Sequence, residues 1–395
     1  MLTTYDVEQP IVELEVPKET SGSLIKVCGV LRDNAACGLY RIKQPLTLLN
    51  EHEDFDVAIG GMDFVEFGEK NDLFELLREC DVSIIPRAAT EATLDLISAL
   101  KGLDRNKKII VDYDDNIFDV NPMSPHYRDF GLEEVTAEVD GEKIKVWENG
   151  KGLFDIERNK LKVESVEKIL RLTDAITVTT EELAEVYRKY NDCVYVLPNT
   201  VDLSIWNPVR IVKDGTTRLT WHGGSSHYHD LYEVKPVLEN ITKNHSGVKL
   251  EICGHEFKGI FKNMKDSQYQ FHEWVPTEVH PYKQALLNSD IALLPLKDDL
   301  FNRGKSPIKW VEYSSLKIPC VAKNIPPYSE VIEHGETGYL YNDVFECSNY
   351  LEKLIENPSL RESIGNKAYN YVAEHYNAKD NVSLWAETIK KITRK

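Results

Sequence analysis

The chain has 395 residues, 42% of them hydrophobic, and 65 acidic against 47 basic side chains leave a formal charge of −18. That length suits two domains, each able to bury a core of its own. A field so negative repels nucleic acid and anionic membrane at long range, although a local basic patch still holds a phosphate. The apolar runs are of strand length, far short of a bilayer span, and no basic segment followed by an apolar one opens the chain. A cytoplasmic protein with no transmembrane segment is expected. The seven cysteines (28, 37, 80, 193, 253, 320 and 347) contain no Cys-x-x-Cys pair. They read as reduced core residues rather than a zinc knuckle or a redox dithiol.

Residues 1–23 are polar and acidic, an N-terminal extension. Strand-length apolar runs then recur at Leu24–Leu31, Val57–Ile59, Val82–Ile85 and Ile109–Val111. Helical periodicities separate them at Leu39–Leu49, with Pro45 disturbing its middle, at 71–79 and at 90–103. This alternation predicts an α/β fold with a doubly wound parallel sheet. Val135–Val139 and Lys143–Trp147 flank Asp140-Gly141 and predict an inserted β-hairpin. A helix at Glu157–Leu172, a strand at Ala175–Val178, a helix at Glu181–Tyr190 and a strand at Val194–Leu197 follow. The irregular stretch from Pro198 to Gly215 reads as an interdomain linker.

The alternation then restarts with a strand at Leu219–His222, a tight loop Gly223-Gly224-Ser225-Ser226, a helix at Leu231–Lys243 and a strand at Lys249–Cys253. A short strand at Tyr269–Phe271, a helix at Glu278–Asn288 and a buried strand at Ile291–Leu296 come next. Further on are a strand at Pro319–Ala322, a short helix at Pro327–Glu333, the segment Gly338-Tyr339-Leu340, and three amphipathic helices at 343–356, 359–374 and 380–393.

The most informative stretch is 301–319. Asn302, Arg303 and Gly304 are expected to turn, Ser306-Pro307 to open a helix, and Leu316 to Pro319 to close it. Arg303, Lys305 and Ser306 then stand at a helix N-terminus outside the carboxyl end of a strand. There, free N–H groups and the helix dipole favour an anion. Glu312 lies about two turns further on, with Lys309 three residues before it on nearly the same face. Cations followed by a carboxylate suit a nucleoside diphosphate, the cations on the diphosphate and Glu312 on the ribose. A P-loop is excluded because Asp299 stands where its first glycine is required.

The pieces Leu197-Pro198-Asn199-Thr200-Val201-Asp202, Trp221-His222-Gly223-Gly224, Lys305-Ser306-Pro307-Ile308-Lys309-Trp310-Val311-Glu312-Tyr313, Ile318-Pro319-Cys320-Val321 and Glu333-His334-Gly335-Glu336-Thr337-Gly338-Tyr339-Leu340 occur in this order. Together they resemble the GT-B glycosyltransferases, and most closely the large retaining family usually numbered 4. The likeness spans 24–395 and is most specific over 197–342. That family commonly carries two glutamates with seven residues between them. Glu312 matches the second, but Gly304 stands in place of the first. The usual Arg and Lys after the second domain's first strand are replaced by Gly224-Ser225-Ser226-His227, as though cations lost from one loop reappear at Arg303 and Lys305. Lys-Ser-Pro-x-Lys resembles a subset of the family carried by bacteriophages.

The resemblance implies two Rossmann-like domains facing a cleft, an acceptor domain at 24–200 and a donor domain at 201–379, with the final helix (380–395) crossing back. It implies a hexosyltransferase using a nucleotide-diphosphate sugar, UDP-sugar foremost, retaining and without a metal or other cofactor. Negative charge growing on the leaving diphosphate would be met by Arg303, Lys305, Ser306 and Lys309 with the backbone of Gly223, Gly224 and Ser225. Asp112-Tyr113-Asp114-Asp115, directly after a strand, admits three readings. It could bind Mn²⁺ or Mg²⁺ as Asp-x-Asp, it could bind the acceptor or act as base through Asp114 or Asp115, or it could cap the following turn. Gly38, Tyr40, Arg41, Asp112 and His222 are candidate sugar or acceptor contacts, while Trp147-Glu148-Asn149-Gly150 would shape the acceptor mouth. The acceptor is a glycan, a small molecule or, as in some phage enzymes, hydroxymethylated DNA, which would place the chain in a host-cell cytoplasm. A sugar-nucleotide epimerase and a non-catalytic binding module share the architecture.

Overall fold

The computed structural model describes residues 24–33, 35–61, 70–139, 142–208, 214–257, 259–273, 286 and 288–394. The extension at 1–23, the Asp140-Gly141 turn and nearly all of the helix expected at 278–288 lie outside the described residues.

Strands β1 (Ile25–Leu31), β2 (Phe55–Gly61), β3 (Val82–Pro86) and β4 (Lys108–Tyr113) belong to one sheet, and β5 (Val135–Val139) and β6 (Glu142–Trp147) pair as a separate antiparallel hairpin. With β7 (Ala175–Val178) and β8 (Val194–Val196) the first sheet runs β2-β1-β3-β4-β7-β8, every pair parallel. The second sheet joins β9 (Thr217–Gly223), β10 (Val248–Gly254), β11 (Tyr269–Glu273), β12 (Ile291–Leu294), β13 (Cys320–Lys323) and β14 (Tyr339–Tyr341) in the order β11-β10-β9-β12-β13-β14, again all parallel. The strands are near-continuous Val, Ile and Leu runs because helices cover both faces of a parallel sheet. This is the GT-B architecture, two Rossmann-like halves.

Each sheet reverses its strand order once, between β1 and β3 in the first half and between β9 and β12 in the second. Ligands of open α/β sheets bind in the crevice outside the carboxyl ends at such a point. The topology therefore singles out residues 32–38 and 87 on one side, and 223–227 and 295–306 on the other.

Pro45 leaves its mark on the first helix. It has no N–H, and the chain enters as a π-helical turn, Gly38–Lys43, before continuing as Gln44–Leu49. The expected linker is packed rather than loose. Val201 and Trp206 are buried in the second half's core, and Val201 exchanges backbone hydrogen bonds with Tyr376 (3.0 Å) and Ala378 (2.9 Å). The two chain crossings between the halves thus run side by side. The segment expected as a helix at Pro327–Glu333 is a single 3₁₀ turn, Tyr328–Glu330.

The C-terminal helix, Ala378–Thr393, lays Trp385, Ala386, Ile389 and Ile392 on the first half against Ile42, Leu46, Leu49 and Phe55. Its Lys390 pairs with Asp54. Among the described residues no helix is long and apolar enough to cross a membrane. Truncating Trp385 empties a packed site, so Trp385→Ala is expected to lower the free energy of unfolding by about 3–5 kcal/mol. Urea denaturation followed by circular dichroism checks this.

Candidate functional site

Asp299 sets the local geometry of the 298–319 segment. Its carboxylate accepts the Asn302 N–H (2.8 Å) and caps one helical turn, Leu300–Arg303, where a plain turn was expected. Asn302 thereby points inward, donating to Asp230 Oδ1 (3.1 Å) and the Lys297 carbonyl (3.0 Å). Arg303 points outward, about half exposed, and its guanidinium is held by Asp298 at 2.6 and 2.9 Å. Arg303, expected at the diphosphate, is in this structure paired with Asp298. Ser306 is likewise occupied: its Oγ accepts from Asn199 Nδ2 (3.0 Å) and from the Ile308 N–H (3.4 Å) at the start of the helix Ile308–Ser315.

Lys305 and Lys309 remain the two cations of this edge. Lys305 Nζ lies 4.3 Å over the Phe301 ring and 3.4 Å from Asp115 Oδ1 of the other half. Lys309 Nζ lies 5.0 Å over the Trp221 ring and 3.0 Å from His227 Nε2. Burial, and next the charge of Lys305, lower the Lys309 ammonium to about 7, with Asp230 and Glu312 opposing. Gly223 is required here: a Cβ on it would sit 2.7 Å from the Trp221 ring and 2.9 Å from Lys309 Nζ. Gly224 and Ser225 are exposed at the rim of the same turn.

Glu312 is 3% exposed and joins the halves. Tyr40 donates to its Oε1 (2.7 Å), and His222 Nε2 lies 2.9 Å from its Oε2. Burial, followed by the charge of Glu312, pushes the Tyr40 phenol up. Burial lowers His222, with Glu312 acting against it.

Across the cleft the aspartates divide. Asp112 is 1% exposed, ion-paired to Arg41 (2.7 Å) and accepting from Thr177 Oγ1 (2.6 Å). Arg41, equally buried, also donates to the Leu197 carbonyl (2.5 Å) and Asn199 Oδ1 (3.1 Å) and lies 5.4 Å from the centre of the Trp385 ring. Arg41 and Asp112, expected at a sugar or acceptor, here fasten the first helix, β4 and the crossing segment together. Asp114 accepts from Arg87 (2.7 and 2.9 Å) and Cys37 Sγ (2.6 Å). Burial alone would raise it, but Arg87 and Cys37 hold it at about 2. Such a carboxylate is a weak base at neutral pH. Asp115 bridges Arg87 Nη2 (3.2 Å) and Lys305 Nζ (3.4 Å). Asp112 and Asp114 thus turn to different arginines rather than converging on one cation, and among the described residues no group of three or more His, Cys, Asp or Glu is gathered as a metal site.

Arg87, not singled out by sequence reasoning, is at the centre of this side. It has a left-handed backbone (φ 46°), a conformation costing about 1–3 kcal/mol in a non-glycine residue. Its N–H on the Asp112 carbonyl (2.8 Å) and its carbonyl on Arg32 Nη1 (2.6 Å) hold it there. A small cavity of about 10 Å³, room for about one water, lies beside it, lined by Arg32, Asp33, Cys37, Gly38, Arg41, Pro86, Arg87, Asp112 and Asp114. Gly38 closes that pocket through its backbone: its N–H donates to Asp33 Oδ1 (3.1 Å), and a Cβ would lie 1.8 Å from the Asp33 carbonyl oxygen. Position 87 directly follows the β3 run, a placement the sequence did expose. Trp147 donates to the Pro122 carbonyl (2.6 Å) and packs with Tyr127 and Phe154, in the cluster that includes Phe301 beneath Lys305.

Residues 226–371 match the family described as "Glycosyl transferases group 1". The second half carries a group 1 domain. None of the curated proteins matches the chain. Among solved structures, HepE of Anabaena in complex with UDP and glucose superposes with a TM-score of 0.61 at 12% identity, covering 93% of this chain and 100% of that one. Sucrose-phosphate synthase from Thermosynechococcus elongatus gives 0.63 at 11% identity, covering 93% and 98%. A glycosyltransferase from Rickettsia africae gives 0.61 at 12%, covering 94% and 99%. These likenesses extend the GT-B fold over both halves, beyond the reach of the group 1 domain.

The two arginines assigned to the diphosphate or sugar by sequence should behave differently on truncation. Arg41→Ala leaves Asp112 buried and unpaired and is expected to cost about 3–5 kcal/mol of unfolding free energy. Arg303→Ala, at an exposed pair, should stay within about 0.5 kcal/mol. Urea titration of both variants makes the comparison.

Proposed function

We propose that the chain transfers a hexose from a nucleotide-diphosphate sugar, UDP-sugar foremost, to an acceptor hydroxyl, with retention and without a metal. The carrying observation is that Lys305 and Lys309 both stand at the switch point of the second sheet, beside the Gly223 turn, where a Cβ on Gly223 would meet Lys309 Nζ. Two cations at one glycine turn, in a chain of net charge −18, form a local excess that a diphosphate relieves. The group 1 domain at 226–371 supports the same reading.

In the reaction the bond between the sugar's anomeric carbon and the diphosphate oxygen breaks, charge accumulates on the β-phosphate, the acceptor oxygen bonds to that carbon, and its proton passes to the departing diphosphate. Lys305, Lys309 and the N–H groups of Gly224 and Ser225 meet that charge, while Glu312 takes the ribose hydroxyls. Donor entry exchanges Asp115 for phosphate on Lys305 and Tyr40 for ribose on Glu312. The halves separate and close about the paired crossings at Val201 and Asn377. The acceptor enters from the Arg87 side, and the protein acts in the cytoplasm. A glycan or small molecule suits the charge of −18 better than DNA does.

A thermal-shift screen against UDP-, GDP- and ADP-sugars tests the donor. Labelled sugar then tests transfer to glycans, small hydroxylated acceptors and hydroxymethylated duplex DNA. Lys305→Ala should lower turnover about 10²–10³-fold. Product without acceptor would indicate an epimerase, and binding without turnover a binding module. If no nucleotide sugar stabilises the protein, the donor reading is wrong. Because protonated Lys309 binds the anion, UDP-glucose affinity should fall as pH rises above about 7, by up to about tenfold per pH unit until the Lys309 of the complex also titrates. Calorimetric titration from pH 6 to 9 measures it.

A further inference from the structure

Behind the Gly223-Gly224 turn lies a buried relay. Asp230 Oδ1 accepts the Lys297 N–H (2.7 Å) and Asn302 Nδ2–H (3.1 Å), and its Oδ2 faces His227 Nδ1 at 2.6 Å. An ionised carboxylate only accepts, so the ring proton of His227 resides on Nδ1. Nε2 then presents a lone pair to Lys309 Nζ at 3.0 Å, and Lys309 is the donor. The missing Cβ of Gly223 keeps the approach to Lys309 open from the turn. The charged or titratable groups around Lys309 are His227 and Asp230 from the 225–244 segment, Lys305 before its helix, Glu312 on it, and His222 on β9.

We propose that Asp230 and His227 are positioning residues for Lys309, fixing its ammonium so that it donates to a phosphate of the nucleotide bound at the Gly223-Gly224 turn. This deepens, and rests on, the nucleotide-sugar reading. Burial and the charge of Lys309 keep His227 at about 4, consistent with a neutral ring that accepts.

Asp230→Asn is the sharpest probe. Its Oδ1 must stay with the two N–H groups, so its amide nitrogen faces His227 Nδ1. The ring proton then moves to Nε2, donor against donor with Lys309. UDP-glucose affinity, measured by calorimetry, is expected to fall about tenfold in Asp230→Asn and in His227→Phe. His227→Gln, whose amide oxygen still accepts from Lys309, should stay within about threefold of wild type. In a Lys309→Met background, Asp230→Asn should have no further effect on affinity, although its thermal stability still drops. Equal losses in both backgrounds, or no loss in either, would overturn the positioning role while wild-type binding keeps the nucleotide reading intact. Failure of the wild type to bind UDP-glucose would remove both.

Discussion

Two lysines at one switch point of a parallel sheet organise the second half of this protein. Lys305 and Lys309 lie where the strand order of the sheet reverses, on either side of a helix start, in a chain whose overall charge is strongly negative. Bringing two ammonium groups together in a partly dry place is unfavourable unless an anion joins them. Meanwhile each has a modest partner: an aromatic face, and an acceptor in Asp115 or His227. The residues that make the approach possible, Gly223 and Trp221, belong to the neighbouring strand.

The same groups tie the halves to each other. Tyr40 to Glu312, Asp115 to Lys305 and Asn199 to Ser306 all cross the cleft. The first is a buried hydrogen bond to a charged group, worth about 1.5–3 kcal/mol, whereas the second is long and part-exposed and contributes less. In the proposed reaction, donor binding would replace the first two with chemically similar contacts: ribose hydroxyl for phenol, phosphate for carboxylate. The change in free energy is then a difference between like interactions rather than the full strength of either.

The alternation of strands and helices was legible because each parallel strand is a short, almost unbroken apolar run and many of the helices begin at a Thr, Asp or Asn cap. Lys309 and Glu312 stood out as candidates through their spacing along one helix, and Lys305 because it stands just before that helix begins. What escaped was everything decided at long range. Arg41 meets Asp112 across 71 positions, Lys305 meets Asp115 across 190, and Tyr40 meets Glu312 across 272. No periodicity reports such pairings. The spacing that made Arg41 and Arg303 candidate ligand contacts thus said nothing of the Asp112 and Asp298 carboxylates they pair with. The His227–Asp230 pair, only three residues apart, was visible in principle. Its meaning depends on Lys309 arriving from 82 positions away.

A crystal structure with UDP-glucose bound tests the account most directly. The diphosphate should lie within hydrogen-bond distance of Lys305 Nζ and Lys309 Nζ, the ribose on Glu312, and Asp115 and Tyr40 moved off those two groups. A nucleotide found elsewhere, or bound with the Lys305–Asp115 and Tyr40–Glu312 contacts still in place, would contradict it.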